Sequence, residues 1–411
     1  SVWSPRAQID KRLYEKNVSS FVLGLRNTTI VEGEAVSLTT KQQRGSGVVL
    51  RDKTIIKAKA VVLTCGTFLS GLIHIGDRKI SAGRMGENNS TGITESLSAM
   101  GFRTMRLKTG TPPRVLKQSV CWEKTAMEFG DINPVPFSLF TENFNPKNEP
   151  CHTVRTKQAS HEIIRQNLDK SPMYNGEISA VGPRYCPSIE DKVSRFVDQK
   201  SHLLFLEPEW YLSDQIYING FSTSLPEDIQ LRSLRKIPAF KSVRFLRPGY
   251  AIEYDCISPS QLKSTLESKY VKGLFFAGQI NGTSGYEEAS SQGIIAGINS
   301  VAYIKDIRPL VIKRSEGYIG VLIDDLITKD TNEPYRMFTS RAEYRLMLRY
   351  SNPEMRLTNH AKKHKLLSQR KISILEKRIS LRTKVETEVN QPIGKQHFKY
   401  FGLKQSLPIK K

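Results

Sequence analysis

Apolar and polar positions along the chain change period from one region to the next. Ser4-Pro5 has the form of an N-cap and first helical residue, and residues 6–25 continue it as a helix. Residues 29–39 and 47–57 alternate as half-buried strands do, and Arg44-Gly45-Ser46-Gly47 between them reads as the turn. Ala60-Val61-Val62-Leu63-Thr64-Cys65-Gly66-Thr67 is a short apolar run ending in small residues, the pattern of a buried strand whose carboxyl end is closely approached. Residues 109–214 are proline-rich and irregular, which predicts an insertion of loops and short helices. A second buried strand is expected at Gly273-Leu274-Phe275-Phe276-Ala277-Gly278, with a helix from about Tyr286. Along that helix Ala289, Gly293, Ala296, Gly297 and Ser300 recur at helical spacing and would let it pack closely on a sheet. Beyond Arg308 the pattern is helical and basic to the end, so the whole predicts an α/β fold followed by a helical region.

Composition narrows the class. A chain of 411 residues predicts more than one domain, and 38% hydrophobic with 25% charged residues is globular. No run approaches the roughly 18 apolar residues of a membrane span. The first residues have no basic, apolar or amphipathic leader, so a targeting segment is absent, removed or lost by truncation. Lys and Arg number 62 against 40 acids, a net charge of +22, which points first to nucleic acid as a partner. Residues 301–411 hold 24 Lys/Arg against 11 Asp/Glu, so more than half of the excess lies there. Cys65, Cys121, Cys151, Cys186 and Cys256 are far apart and form no Cys-x-x-Cys, which argues against a disulfide scaffold or zinc ribbon and fits a reducing compartment. The pair His360/His364 sits in a Lys-rich stretch and reads as surface, so no metal site is expected.

Three constellations carry candidate chemistry. In the first, the strand ending at Ala277-Gly278-Gln279 passes through Asn281-Gly282-Thr283-Ser284-Gly285 into a helix with Glu287 and Glu288 in its first turn. Glycines there let backbone N–H groups approach a ligand at a helix N-terminus, where the dipole favours an anion or an electron-rich ring. An ordinary tight turn would look the same. A dinucleotide fingerprint Gly-x-Gly-x-x-Gly is missing, since Gly45-Ser46-Gly47 lacks the third glycine. In the second, Ser188 caps a helix with Glu190 and Asp191 in its first turn and Val193 and Phe196 on its apolar face. Cys186 then precedes a helix N-terminus and lies near Arg184, and both features favour the thiolate. In the third, Ser340 and Glu343 form a capping box, and Arg341, Arg345 and Arg349 make one cationic stripe beside Tyr344. Such a stripe suits phosphates and unstacked bases equally with a plain solvated face.

Together the stretches RAQIDKRLY, AVVLTCGTFLSGLIHIG, RLKTGTPPR, SPMYNGEISAVGPRYCPSIEDKVSRF, LRPGYAIEYD, LESKYVKGLFFAGQINGTSGYEEASSQG and EPYRMFTSRAEYRLMLR resemble, in order, the MnmG (GidA) family. The resemblance implies an FAD enzyme that uses NADH and, with an MnmE-type GTPase, modifies C5 of the wobble uridine of tRNA. The added group would be carboxymethylaminomethyl, or taurinomethyl in animal mitochondria, with methylenetetrahydrofolate as one-carbon donor. It implies a partial two-dinucleotide-binding flavoprotein fold: an FAD domain over residues 1–108 and 213–308, an inserted NAD-binding domain over 109–212, and a basic helical region over 309–411 for tRNA and partner. Residue by residue, Gln279, Val36, Ser90, Gly278 and Gly285 fall at the flavin. Gly182-Pro183-Arg184-Tyr185-Cys186-Pro187-Ser188-Ile189-Glu190-Asp191-Lys192-Val193-Ser194-Arg195-Phe196 matches the NAD segment, with Cys186 catalytic. Arg336, Arg341, Arg345 and Arg349 fall to tRNA. The family's opening βαβ unit, its other catalytic cysteine and its full helical end have no counterpart here, so truncation at both ends is expected. A homodimer follows from the family. Basic charge and the context of residues 2–8 place the protein in the mitochondrial matrix, with bacterial cytoplasm as the alternative. Two rivals remain at this point: a plain NADH:flavin oxidoreductase, and a catalytically incomplete RNA-binding scaffold.

Overall fold

The computed structural model describes residues 4–178, 180, 182, 187–329 and 333–391. Helix α1 is Lys11–Leu23, later than the helix expected over residues 6–25. Asp10 is the cap, because its carboxylate accepts from Leu13 N at 2.8 Å and from Tyr211 N at 2.9 Å. Arg6 turns away to Glu207 at 3.2 Å. Strands β1 (Ala35–Lys41), β2 (Arg44–Leu50) and β3 (Ile55–Lys57) form an antiparallel meander. The turn between β1 and β2 is Gln42-Gln43, at φ 50° and 57°, one step before the glycine-rich run expected to make it. Gly47 stays inside β2, where a Cβ would lie 2.1 Å from Ile56 O.

Strand β4 (Val61–Leu63) pairs in parallel with β15 (Leu274–Phe276), as two buried apolar runs should. Between them in the chain come β5 (Leu72–Ile75), β6 (Arg78–Ser81), α2 (Ile93–Ala99) and β7 (Thr104–Thr111). With β14 (Tyr250–Ile257) these strands make a four-stranded sheet in the order β6-β5-β14-β7.

The stretch read as irregular is a sheet. Strands β8 (Arg114–Leu116), β9 (Ala126–Glu128), β10 (Cys151–Arg155), β11 (Leu203–Pro208), β12 (Gln215–Asn219) and β13 (Phe245–Arg247) form one six-stranded antiparallel sheet, in the order β13-β8-β12-β11-β10-β9. Helices α3 (Gln158–Arg165), α4 (Ile189–Arg195) and α5 (Glu227–Leu234) supply Ile163, Ile164, Ile189, Val193, Ile229 and Leu234 to its core. The strands are short and separated by proline loops, which hid their alternation. Val193 is fully buried as expected, but Phe196 is 52% exposed, because α4 ends at Arg195 and the next residue leaves the apolar face.

Helix α6 (Tyr286–Ile304) packs on β4 and β15 with Ile295 and Ala296 in the shared core, and its Gln292, Asn299 and Ala302 are buried as well. Gly293 and Gly297 face open space, so the small residues do not all serve close packing. Helix α7 (Tyr318–Thr328) follows. The helix expected after the Ser340 cap, over residues 341–349, does not form; a short turn at Thr339–Arg341 and a further turn over residues 343–347 stand in its place. Its capping partner Glu343 is held by Arg314 at 2.6 Å, and Arg341 Nε donates to Arg336 O at 3.0 Å. The chain divides into two compact units at Arg345/Leu346. In the second, α8 (Pro353–Lys363) and α9 (Gln369–Val389) are joined by the buried Glu354, which lies 3.8 Å from Arg378 and 3.9 Å from Arg382.

Candidate cofactor and RNA site

The parallel pair sets the first part of the site. Ala277 N donates to Leu63 O at 3.0 Å, so the segments leaving β4 and β15 start side by side at their carboxyl ends, where α/β sheets bind ligands. Gly278 and Gly282 take φ of 89° and 78°, a conformation that resists any side chain. Beneath them a buried amide network fixes the turn. Asn281 Nδ2 donates to Phe276 O and to Gln292 Oε1, both at 2.8 Å, and Gln292 Nε2 donates to Thr283 Oγ1 at 3.1 Å. Thr283 Oγ1 in turn donates to Gly278 O at 3.1 Å. Asn281 Oδ1 is buried with no hydrogen bond among the described residues. Gln279 is half-buried at the edge of this turn, and Gly285 caps α6. Two acids, Glu287 and Glu288, already occupy the first turn of α6. They use the helix dipole and repel an anion, so this terminus suits the neutral edge of a ring better than a pyrophosphate.

Ser90 and Val36 connect to the same loops. Ser90 N donates to Phe68 O, and Ser70 N to Ser90 O, both at 2.8 Å, which seats Ser90 on the segment leaving β4. Two residues on, Gly92 has φ 101°, and a Cβ there would lie 2.4 Å from Val36 O. Val36 itself is at an irregularity between the paired residues Ala35 and Ser37. The residues assigned to flavin thus lie on consecutive hydrogen-bonded segments. Glu34, beside them, is clamped by Arg51, whose hydrogen bonds bring its carboxyl down to about 2.

Of the second constellation, Pro183, Arg184, Tyr185 and Cys186 lie outside the described residues. Gly182 is pressed against Lys108, whose Cε would be 2.2 Å from a Cβ. Ser188 caps α4 in a reciprocal box, with Asp191 N to Ser188 Oγ at 3.1 Å and Ser188 N to Asp191 Oδ2 at 3.2 Å. Glu190 is fully buried. Its Oε1 accepts from Thr223 Oγ1 and Ser224 N, each at 3.0 Å, and from Ser171 Oγ at 3.2 Å. Lys192 donates to Gly220 O at 2.7 Å, Ser194 Oγ to Glu190 O at 2.8 Å, and the exposed Arg195 pairs with Asp191 at 3.3 Å. Ile189 is fully buried, while Pro187 is half-buried at the start of the helix. Most described residues of this run therefore hold the helix in place.

The segment entering Gly182 is anchored to the four-stranded sheet by charge. Lys79 of β6 pairs with Glu177 at 2.9 Å, while inside the sheet His74 Nε2 of β5 lies 2.9 Å from Glu253 of β14. Burial pushes the Glu253 carboxyl up, but His74 and Arg106 together bring it below its ordinary value. Among the other thiols, burial pushes Cys65 and Cys256 up to about 12 and also raises Cys151, while Cys121 is half-buried.

The arginines divide into two kinds. Asp325, fully buried on α7, accepts from Arg314 at 2.8 Å, Lys329 at 2.7 Å and Tyr335 OH at 2.9 Å. Arg341 stacks over the Tyr335 ring at 4.5 Å and lies 3.9 Å from Asp325. Arg336 faces Glu287 and Glu288. Arg345 and Arg349 are exposed. The single stripe foreseen for Arg341, Arg345 and Arg349 is absent, because no helix aligns them.

The sequence and the fold were compared with known proteins. The family model described as Glucose inhibited division protein A matches residues 1–308, three quarters of the chain. This chain belongs to the GidA family. Among its GidA relatives, proteins named tRNA uridine 5-carboxymethylaminomethyl modification enzyme MnmG from Flavobacterium psychrophilum and Chlorobium phaeovibrioides are 48% and 50% identical to it. Those matches cover 92% and 86% of this chain but 61% and 57% of the relatives, so the chain spans about three fifths of their length. Aquifex aeolicus GidA, in its form I crystal, superposes with a TM-score of 0.87 at 43% identity, over 91% of this chain and 63% of that one. The α/β fold is that of GidA.

Sequence reading missed the Asn281–Gln292–Thr283 network, the Asp325 hub and the Glu190 node of this GidA chain. A signal existed for each. Asp325 interrupts an otherwise apolar helix face, and Gln292 lies one turn before Ile295 and Ala296, where an unpaired polar group would be destabilising. Glu190 lay in plain view but was read only as a helix-start acid.

Proposed function

We propose that this chain forms the cofactor- and RNA-handling part of a flavin-dependent enzyme that modifies C5 of the wobble uridine of tRNA. The observation that carries the reading is the near-half identity, spread over most of the chain, to enzymes named for that modification. The described residues fit a flavin: left-handed glycines at 278 and 282 clear a flat approach, and Asn281 offers an orphaned buried oxygen beneath it. Gln279 and Gly278 would meet the ring and Gly285, closed over by Glu288, would end the loop that holds it, with Val36 and Ser90 on the neighbouring segments. FAD, when bound, would carry electrons between NADH and the one-carbon unit that methylenetetrahydrofolate donates. Residues 182–196 are the proposed NADH segment.

Cys186 is the proposed nucleophile because it falls at a catalytic cysteine of the family, and burial disfavours the thiolate at Cys65, Cys151 and Cys256. Its thiolate sulfur bonds to C6 of the uridine, and the C5–C6 electron pair moves onto C5 and the adjoining carbonyl. C5 then bonds to the methylene carbon of the donor as a bond from that carbon to the donor's nitrogen breaks, its electron pair staying on the nitrogen. Loss of the C5 proton and expulsion of the thiolate restore the double bond. Arg345 and Arg349 are the exposed cations available to phosphates, and an MnmE-type GTPase and a second copy of the chain are the proposed partners. Whether the product is carboxymethylaminomethyl or taurinomethyl follows the compartment. The mitochondrial matrix rests on basic charge and the context of residues 2–8, and the relatives named above are bacterial.

Replacing Cys186→Ser in the full-length enzyme is expected to abolish wobble modification, read by nucleoside mass spectrometry, while the yellow flavin spectrum remains. Retained modification would remove Cys186 from the mechanism. A colourless preparation that still binds tRNA would favour the RNA-binding scaffold instead.

A further inference from the structure

The loop after β15 is tied to the arginine-bearing segment by backbone and by charge. Tyr335 N donates to Gly282 O at 2.8 Å and Ser284 N to Tyr335 O at 3.4 Å, so Thr283 and Tyr335 bridge in parallel. Two residues later Met337 N donates to Glu288 Oε1 at 2.8 Å. Glu288 is 3% exposed, and its Oε2 has no hydrogen bond among the described residues. Arg336 Nε lies 3.7 Å from Glu288 Oε1, and its Nη2 lies 3.8 Å from Glu287 Oε2. The Glu288 carboxylate covers Gly285: a Cβ there would be 1.6 Å from Oε2 and 2.6 Å from Arg336 Nη1.

A carboxylate this buried is costly unless hydrogen bonds and a facing cation compensate it. Arg336 is the nearest cation on the opposite side, at a distance that supplies charge without a direct bond. Glu288 in turn holds both Met337 and the space over Gly285. The position of the loop at residues 278–285 therefore depends on Glu288, and that of Glu288 depends on Arg336. A free RNA contact would leave its guanidinium unengaged, whereas this one is directed at two acids.

We infer that Arg336, acting through Glu288, is a positioning residue for the cofactor loop at residues 278–285 rather than an RNA contact. The inference rests on the reading that this loop meets the flavin. The test is a double-mutant cycle in the full-length enzyme, with FAD as the probe. Arg336→Met is expected to weaken FAD binding about ten-fold and to alter the shape of the flavin absorption band. In a Glu288→Gln background the same change should have little further effect, since paired residues are non-additive. Arg336→Lys, which keeps the charge, should restore most of the affinity. The salt dependence of tRNA binding should stay as in the parent, because no phosphate contact is lost. A flatter salt dependence with unchanged FAD affinity would overturn the inference, and so would additive effects of the two substitutions. Should the parent bind no FAD, the flavin reading itself fails. The positioning role is then decided by amide hydrogen exchange at residues 278–285: faster exchange in Arg336→Met sustains it, and unchanged exchange ends it.

Discussion

Glu190 shows how one side chain can belong to a functional run and serve the fold. It occupies the first turn of α4, where an acid is expected for its dipole. Its Oε1 instead collects donors from Ser171, Thr223 and Ser224, residues distant in sequence, and nothing local announces them. The capping pair Ser188/Asp191 was legible because cap and partner are three residues apart. Glu190→Ala strands several buried donors, and the expected loss is on the order of 3 kcal/mol in chemical denaturation. Glu190→Gln keeps an acceptor oxygen for those donors and places its amide where Oε2 has no partner. It should therefore lose much less stability than Glu190→Ala. Equal losses would mean that the negative charge, and not the acceptor, is what the site requires.

At the scale of elements, β4, β15 and α6 were legible because each is a contiguous apolar run or period bounded by glycine. The six-stranded sheet was not, since several of its strands have three residues and take their register from partners up to 133 residues away, the separation of Arg114 and Arg247. The helix expected over 341–349, after the Ser340 cap, failed for a related reason: Arg314 and Asp325, far upstream, claim the side chains that would have capped and lined it. Long-range pairing also sets a pH dependence in the sheet. His161 of α3 is fully buried, bonded to Thr156 Oγ1 at 2.7 Å, with the His202 ring 5.2 Å away. Burial first, then His202 and Arg165, hold its pKa down to about 4. The unfolded chain takes up a proton at this residue below its ordinary value near 6.5, and the folded chain does so only near 4. Stability should therefore fall as the pH drops between those values, by at most about 1.4 kcal/mol per pH unit from this group. His161→Gln should remove that slope, read as the difference between parent and variant unfolding free energies at pH 7 and pH 5. A constant difference would show that His161 does not titrate with folding.

For the whole molecule, the excess of positive charge was the first hint of a nucleic-acid partner, but charge alone does not say which cations meet phosphate. Arg314 and Arg341 surround the buried Asp325, and Arg336 faces Glu287 and Glu288, so their charges are largely spent inside the first compact unit. Arg345 and Arg349 are exposed, and residues 346–391 add further exposed Lys and Arg on α8 and α9. Affinity for tRNA in the full-length enzyme should then fall steeply with salt, because each neutralised phosphate releases a counterion. Arg349→Ala should lower the slope of log affinity against log salt by about one, with little change in stability. Arg341→Ala should do the reverse. It removes the cation over Tyr335 and leaves the salt slope alone, at a loss of stability on the order of 1–2 kcal/mol. Filter binding across a salt series, paired with thermal unfolding of the same variants, separates the two kinds of arginine. If Arg341→Ala flattened the salt dependence as much as Arg349→Ala, the internal pairing around Asp325 would have to open when RNA binds.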